Sequence, residues 1–220
     1  MSEIVLMSSP KVSAIPVEEC GERLADVRRT SFLIDARRQD AVGAFAHLRE
    51  GVLGRLEQAQ ERLPDGFRFL FVEGYRPPAL QREYFESYAQ QLRAANPNWS
   101  ADELRSATSR FVSPPEIAPH SAGAAVDLTL IDARGRELDM GTRVNANPEE
   151  SAGACYTDAS NISTQARENR EILKDALMAV GLVNYSTEWW HWSFGDRYWA
   201  LSTGASAALY GPVANWGPIT

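Results

Sequence analysis

Two apolar runs of strand length constrain this chain most: Phe67-Arg68-Phe69-Leu70-Phe71-Val72 and Ala124-Ala125-Val126-Asp127-Leu128-Thr129-Leu130. Both are bounded by residues that a helix does not continue through. Pro64-Asp65-Gly66 precedes the first and Tyr75-Arg76-Pro77-Pro78 follows it, while Pro114, Pro115, Pro119 and Gly123 precede the second. Short and apolar, they predict buried strands. In the second run Val126, Leu128 and Leu130 share one face and Asp127 and Thr129 the other, so Asp127 faces away from the most apolar layer. Arg134-Gly135 predicts a hairpin turn that returns through Leu138 and Met140. Glu188-Trp189-Trp190-His191-Trp192-Ser193-Phe194 predicts a further strand.

Between these runs the apolar spacing is helical. A helix is expected from Ala41 to Leu63 on Phe45, Leu48, Val52, Leu53 and Leu56. Pro78 opens a second helix with the stripe Tyr84, Phe85, Tyr88 and Leu92, and Ser100 to Glu103 is a capping box for a third. A fourth begins near Gln165 and ends before Gly181. Residues Thr142 to Thr164 are polar and read as a long loop of the kind that borders a site. Helices gathered between short strands give an α+β fold of a single domain, with a small, mainly antiparallel sheet and a site in a cleft.

The 220 residues carry a formal charge of −7, which disfavours nucleic acid and anionic membranes as partners. No membrane-length apolar run and no secretory leader are recognised. Cys20 and Cys155 lie far apart in no metal-binding spacing and read as two unpaired thiols. A cytoplasmic location and a small peptide or small-molecule substrate are therefore expected.

His120, Asp127 and His191 form a ligand set suited to one Zn2+ per chain: two borderline nitrogen donors and one anionic oxygen, with a fourth position open. Glu188 is placed to take a proton from water and pass it to a leaving amine. Residues three apart on a regular strand face opposite ways, so Glu188 must lie in a turn before the strand or the segment must bend. Arg76, at the end of a buried strand, is either a donor to a developing oxyanion or a surface residue in a proline-bounded turn. His47, in the first helix, reads as exposed or as helix packing rather than as a ligand. The cluster of Trp189, Trp190 and Trp192 reads as core, with one of the three available to wall a pocket. A serine triad through Ser121 or Ser193 lacks the G-x-S-x-G elbow.

Glu73-Gly74-Tyr75-Arg76-Pro77, then His120-x-x-Gly123-x-Ala125-x-Asp127-Leu128-Thr129-Leu130, then Glu188-Trp189-Trp190-His191, with Met140-Gly141-Thr142 after the hairpin, resemble in order and spacing the D-alanyl-D-alanine dipeptidases of the VanX type. These belong to a larger group of zinc D-peptidases acting on peptidoglycan precursors of the cell wall. The resemblance covers Cys20 to Leu201 in organisation and is specific in these blocks. It implies His120, Asp127 and His191 as zinc ligands, Glu188 as general base and Arg76 as oxyanion stabiliser in a cytoplasmic metallopeptidase. An N-terminal extension 1–19, a catalytic domain 20–203 and a C-terminal tail 204–220 are expected, the tail reading as surface because the chain after Leu201 is small and contains Gly and Pro.

Two positions depart from that family: Ala118 stands where it usually has a serine, and Asn145 where it has an aspartate that helps bind the substrate's ammonium. A dipeptidase of the D-Ala-D-Ala type is the first expectation. The alternative, motivated by Asn145, is a zinc amidase or peptidase acting on an N-blocked or modified peptide. A module that kept the fold without catalysis is a third, disfavoured because all five mechanistic residues are present.

Overall fold

Local order follows the proline and glycine punctuation of the sequence. In the computed structural model, which describes residues 4–37, 40 and 42–214, the elements in chain order are α1 (Pro10–Ser13), β1 (Leu24–Asp26), β2 (Leu33–Ile34), β3 (His47–Arg49), α2 (Glu50–Gln60), β4 (Arg68–Glu73), α3 (Pro78–Ala95), α4 (Ala101–Thr108), β5 (Ala125–Ile131), α5 (Thr164–Met178), β6 (Val183–Asn184), β7 (His191–Ser193) and α6 (Arg197–Thr203). Pro78 opens α3, and the capping box at α4 is formed from both sides, Ser100 to the Glu103 amide and Glu103 back to the Ser100 amide. Among the described residues no helix is long and apolar enough to cross a membrane.

The main sheet has strand order β2-β4-β5-β7-β6, with β2 parallel to β4 and the other neighbours antiparallel; β1 and β3 form a separate two-stranded pair. This is an α+β fold with a mainly antiparallel sheet. One face of β4, β5 and β7 presents Phe69, Phe71, Val126, Leu128, Leu130 and Trp192 to Val52 and Leu56 of α2 and Leu173 and Leu177 of α5, all in one buried cluster. Each such side chain contributes roughly 1.5–3 kcal/mol on burial, so this layer holds β5 rigid. Tyr88 and Leu92 of α3 pack in a separate cluster with Val112.

Register decides what reaches the other face. Phe71 pairs with Leu128, but Glu73, not Val72, pairs with Asp127, so Val72 is an inserted bulge residue. Without that insertion Glu73 would point toward the core side. On the next strand Asp127 pairs with His191. Glu73, Asp127 and His191 therefore lie in a row across three strands, on the face opposite the apolar layer.

The structure differs from sequence expectation in several places. The helix expected from Ala41 to Leu63 is shorter: Phe45 lies in a 3-10 turn, His47 and Leu48 in β3, and only Glu50–Gln60 is α-helical; Ala41 itself lies outside the described residues. Its apolar positions are buried at helical spacing, but pairing of β3 with β1 overrides the periodicity. His47 is thus a strand residue, with Nδ1 2.9 Å from the Gly43 carbonyl. The third expected strand is limited to His191–Ser193. Residues 204–214, expected as a surface tail, pack instead: Ala207, Ala208 and Tyr210 are buried, and Val17 bridges to Ala208. Met7 and Val12 from the N-terminal stretch are buried with Tyr185 and Tyr198. Both cysteines are free, Cys20 exposed and Cys155 buried.

Candidate metal centre

His120 is carried by a 3-10 turn, Pro119–Ala122, that ends at Gly123 in the left-handed region at φ 66°. A Cβ at Gly123 would meet Leu24 Cδ2 at 2.3 Å, so both conformation and space call for glycine. His120 Nδ1 lies 2.6 Å from the Gly74 carbonyl. A carbonyl only accepts, so Nδ1 carries the hydrogen and Nε2 presents its lone pair to the site. Arg76 N donates to the His120 carbonyl at 3.1 Å and Ser121 Oγ to the Arg76 carbonyl at 3.0 Å, which fastens this turn to the one after β4.

Gly74 is constrained as tightly as Gly123. Its amide donates to the Phe45 carbonyl at 2.7 Å, and a Cβ there would sit 2.3 Å from the His47 backbone oxygen. Because that oxygen belongs to a strand, Gly74→Ala is expected to displace the turn and cost about 1–3 kcal/mol of stability. It is also expected to weaken zinc retention by shifting the carbonyl that orients His120. Denaturant unfolding and a zinc titration check this; unchanged values for both would refute it.

The three predicted ligand atoms converge. His120 Nε2 and His191 Nδ1 are 3.1 Å apart, His191 Nδ1 and Asp127 Oδ1 3.1 Å, and His120 Nε2 and Asp127 Oδ1 3.3 Å. Among the described residues this is the group that could hold a metal ion, and all three side chains are buried. A tetrahedral ion with bonds of about 2.0–2.1 Å has its ligand atoms about 3.3 Å apart, so the triangle has the right edges for zinc. Burial opposes ionising Asp127, but the two facing imidazoles outweigh it and hold its carboxyl far below the usual carboxylate range. Burial also lowers the pKa of His191, favouring the neutral ring that a metal requires.

Glu188 lies in the turn before β7: its amide donates to the Tyr185 carbonyl at 2.8 Å and its carbonyl accepts from His191 N at 3.2 Å. This resolves the strand-parity conflict, and Glu188 Oε2 comes within 3.8 Å of His191 Nδ1. Burial, then the neighbouring charge of Asp127, push its carboxyl well above the ordinary range. Arg76 is buried rather than on the surface. Its Nε and Nη2 donate to the two Glu73 oxygens at 2.6 and 2.8 Å, and its Nη1 donates to Gln81 Oε1 at 2.9 Å. Burial raises a carboxyl, but Arg76 outweighs it and keeps Glu73 ionised.

His120, Asp127, His191, Glu188 and Arg76 all line one cavity of about 420 Å³, walled by α3 on one side and by Arg143, Asn145 and Asn147 of the long loop on another. His47 does not line it. None of the three tryptophans does either: Trp189, Trp190 and Trp192 are core, so the pocket-wall expectation is corrected. Sequence reading missed Glu73 and Gln81 as the partners of Arg76. The Glu73-x-x-Arg76 spacing was a usable signal for the first; Gln81 had none.

Residues 47–204 match the family model described as D-ala-D-ala dipeptidase. A D-alanyl-D-alanine dipeptidase of Synechocystis sp. (strain ATCC 27184 / PCC 6803 / Kazusa) is 31% identical over 235 residues, covering 94% of this chain and 95% of the relative. One of Enterococcus faecium is 30% identical over 160 residues, covering 71% and 74%. A solved structure of a Zn(II)-bound mutant of the vancomycin-resistance D,D-pentapeptidase VanY is similar at 17% identity and a TM-score of 0.43, covering 78% of this chain and 84% of that one.

Proposed function

This chain belongs to the D-Ala-D-Ala dipeptidase family of M15 peptidases, and on that footing we propose that it is a zinc-dependent hydrolase that cuts a short peptide of the D-Ala-D-Ala type. The observation that carries the proposal is the triangle of His120 Nε2, His191 Nδ1 and Asp127 Oδ1 at 3.1–3.3 Å, with a second, displaced carboxyl beside it. Zinc held by these three residues supplies Lewis acidity toward a carbonyl oxygen and makes water ionisable near neutral pH.

The chain's own residues divide the remaining work. Glu188, whose carboxyl is pushed above its ordinary range by burial and by the charge of Asp127, takes the proton from water and delivers it to the leaving amine. Arg76, held rigid by Glu73 and Gln81, offers donors to the oxygen that becomes anionic as the carbonyl turns tetrahedral. Gly74 fixes the tautomer of His120. We place the enzyme in the cytoplasm, a reading supported by two cysteines that are not joined to each other.

The purified protein is expected to bind one equivalent of zinc and to hydrolyse D-Ala-D-Ala or an N-acylated form of it. Chelation should abolish turnover and lower the melting temperature, and added zinc should restore both. Full turnover after complete metal removal would refute the metallopeptidase reading, and stoichiometric zinc without hydrolysis of either substrate would favour the non-catalytic module.

A further inference from the structure

A free dipeptide brings two charges into a cavity, an ammonium and a carboxylate, and each must be matched or left hydrated. Apart from Asp127 and Glu188, no carboxylate occurs among the described residues that line this cavity. Its wall away from the ligand set is made of Tyr84, Ser87, Gln91, Arg143, Asn145 and Asn147, which are neutral or cationic. The acids nearby are already engaged. Glu73 is paired through both oxygens with Arg76, Glu149 accepts from Tyr88 Oη and Arg110, and Glu150 accepts from Arg143 and Asn147.

Asn145 is held with φ 60°, and its carbonyl accepts from Arg143 Nη1 at 2.9 Å. Its side-chain amide, half-buried at the cavity wall, makes no hydrogen bond with any described residue. A free amide there offers one donor and one acceptor function, which complements another amide and not a cation. Arg143 beside it is paired with Glu150, so among the described residues this wall presents no free carboxylate to an ammonium.

We propose that this cavity takes a peptide whose amino end is acylated, so that the group meeting Asn145 is a neutral amide and the C-terminal carboxylate is the substrate's only charge. The proposal rests on the hydrolase reading above and names its substrate class. Water is consumed across the last peptide bond, the amine of the released amino acid takes the proton, and the N-acyl fragment keeps the new carboxylate.

The test compares kcat/KM for D-Ala-D-Ala and N-acetyl-D-Ala-D-Ala on the zinc-loaded full chain, wild type and Asn145→Asp. Wild type is expected to favour the acetylated peptide by about tenfold or more, and Asn145→Asp to move the ratio by a similar factor toward the free amine. A wild-type preference for the free dipeptide, equal use of the two, or a ratio that Asn145→Asp leaves unchanged would overturn the proposal. If neither peptide is turned over, the hydrolase reading falls separately. Calorimetric binding of the same two peptides to zinc-loaded Glu188→Gln then decides: tighter binding of the acetylated peptide supports the assignment, and equal or weaker binding overturns it.

Discussion

Glu188→Gln is expected to lower kcat by about 10²–10⁴ while zinc content stays stoichiometric, because the substitution keeps shape and removes the group that accepts and returns a proton. The structure sharpens this beyond loss of activity. Glu188 is buried close to Asp127, and both circumstances disfavour its ionised form. A carboxyl whose folded pKa lies above its unfolded value costs stability as pH rises from the unfolded to the folded pKa, since the unfolded chain releases its proton first. In the metal-free protein that cost vanishes in the amide variant, so its melting temperature at neutral pH should match or exceed that of wild type. A residue with a merely structural role would behave oppositely, losing stability together with activity. Turnover within a few-fold of wild type would remove Glu188 from proton transfer altogether.

The largest effect on stability is expected at Arg170 of α5. Its guanidinium is buried and donates to four backbone carbonyls: Met140 at 2.8 and 2.5 Å, Ala154 at 2.8 Å, Tyr156 at 2.6 Å and Thr157 at 3.2 Å. Its central carbon also lies over the Trp189 ring, 5.6 Å from the centroid. Burial lowers its pKa to about 10, which leaves it charged at neutral pH. Arg170→Leu strands those carbonyls at about 1–3 kcal/mol each before the loop relaxes. A net loss of about 3–5 kcal/mol is expected, a large share of the roughly 5–15 kcal/mol that holds a domain folded. Arg170→Lys should recover only part, because one ammonium cannot span carbonyls that a planar fork reaches together. Denaturant midpoints measure the loss, and proteolysis should find the 140–159 loop first. A loss below about 1 kcal/mol would show that the strap is dispensable.

These two residues also mark how far the sequence could be read. Glu188 was accessible because chemistry and strand parity act locally: an acid three residues from a ligand must sit in a turn, and it does. The two adjacent central strands, β4 and β5, were legible for the same reason, since they are bounded by proline and glycine and patterned by their own burial. Arg170 was not legible. Nothing in a helix that reads Leu173, Ala176 and Leu177 as its buried face announces that an arginine beside them holds a loop thirteen to thirty residues upstream. The Val72 bulge was equally hidden, because it exists only relative to the register of β5. β3 was read as helix because its apolar residues keep helical spacing, while the partner that makes them a strand, β1, lies more than twenty residues earlier.

The stretch 207–214 has a practical implication. Val213 O accepts from Tyr75 Oη at 2.7 Å, and Val213 N donates to the Ser121 carbonyl at 2.8 Å. One residue near the end of the chain is therefore stitched to both of the turns that present Arg76 and His120. Affinity tags, fusion partners and truncations placed there pull on the same stitches, so an expression design that leaves this end untouched is the safer choice for anyone assaying this enzyme.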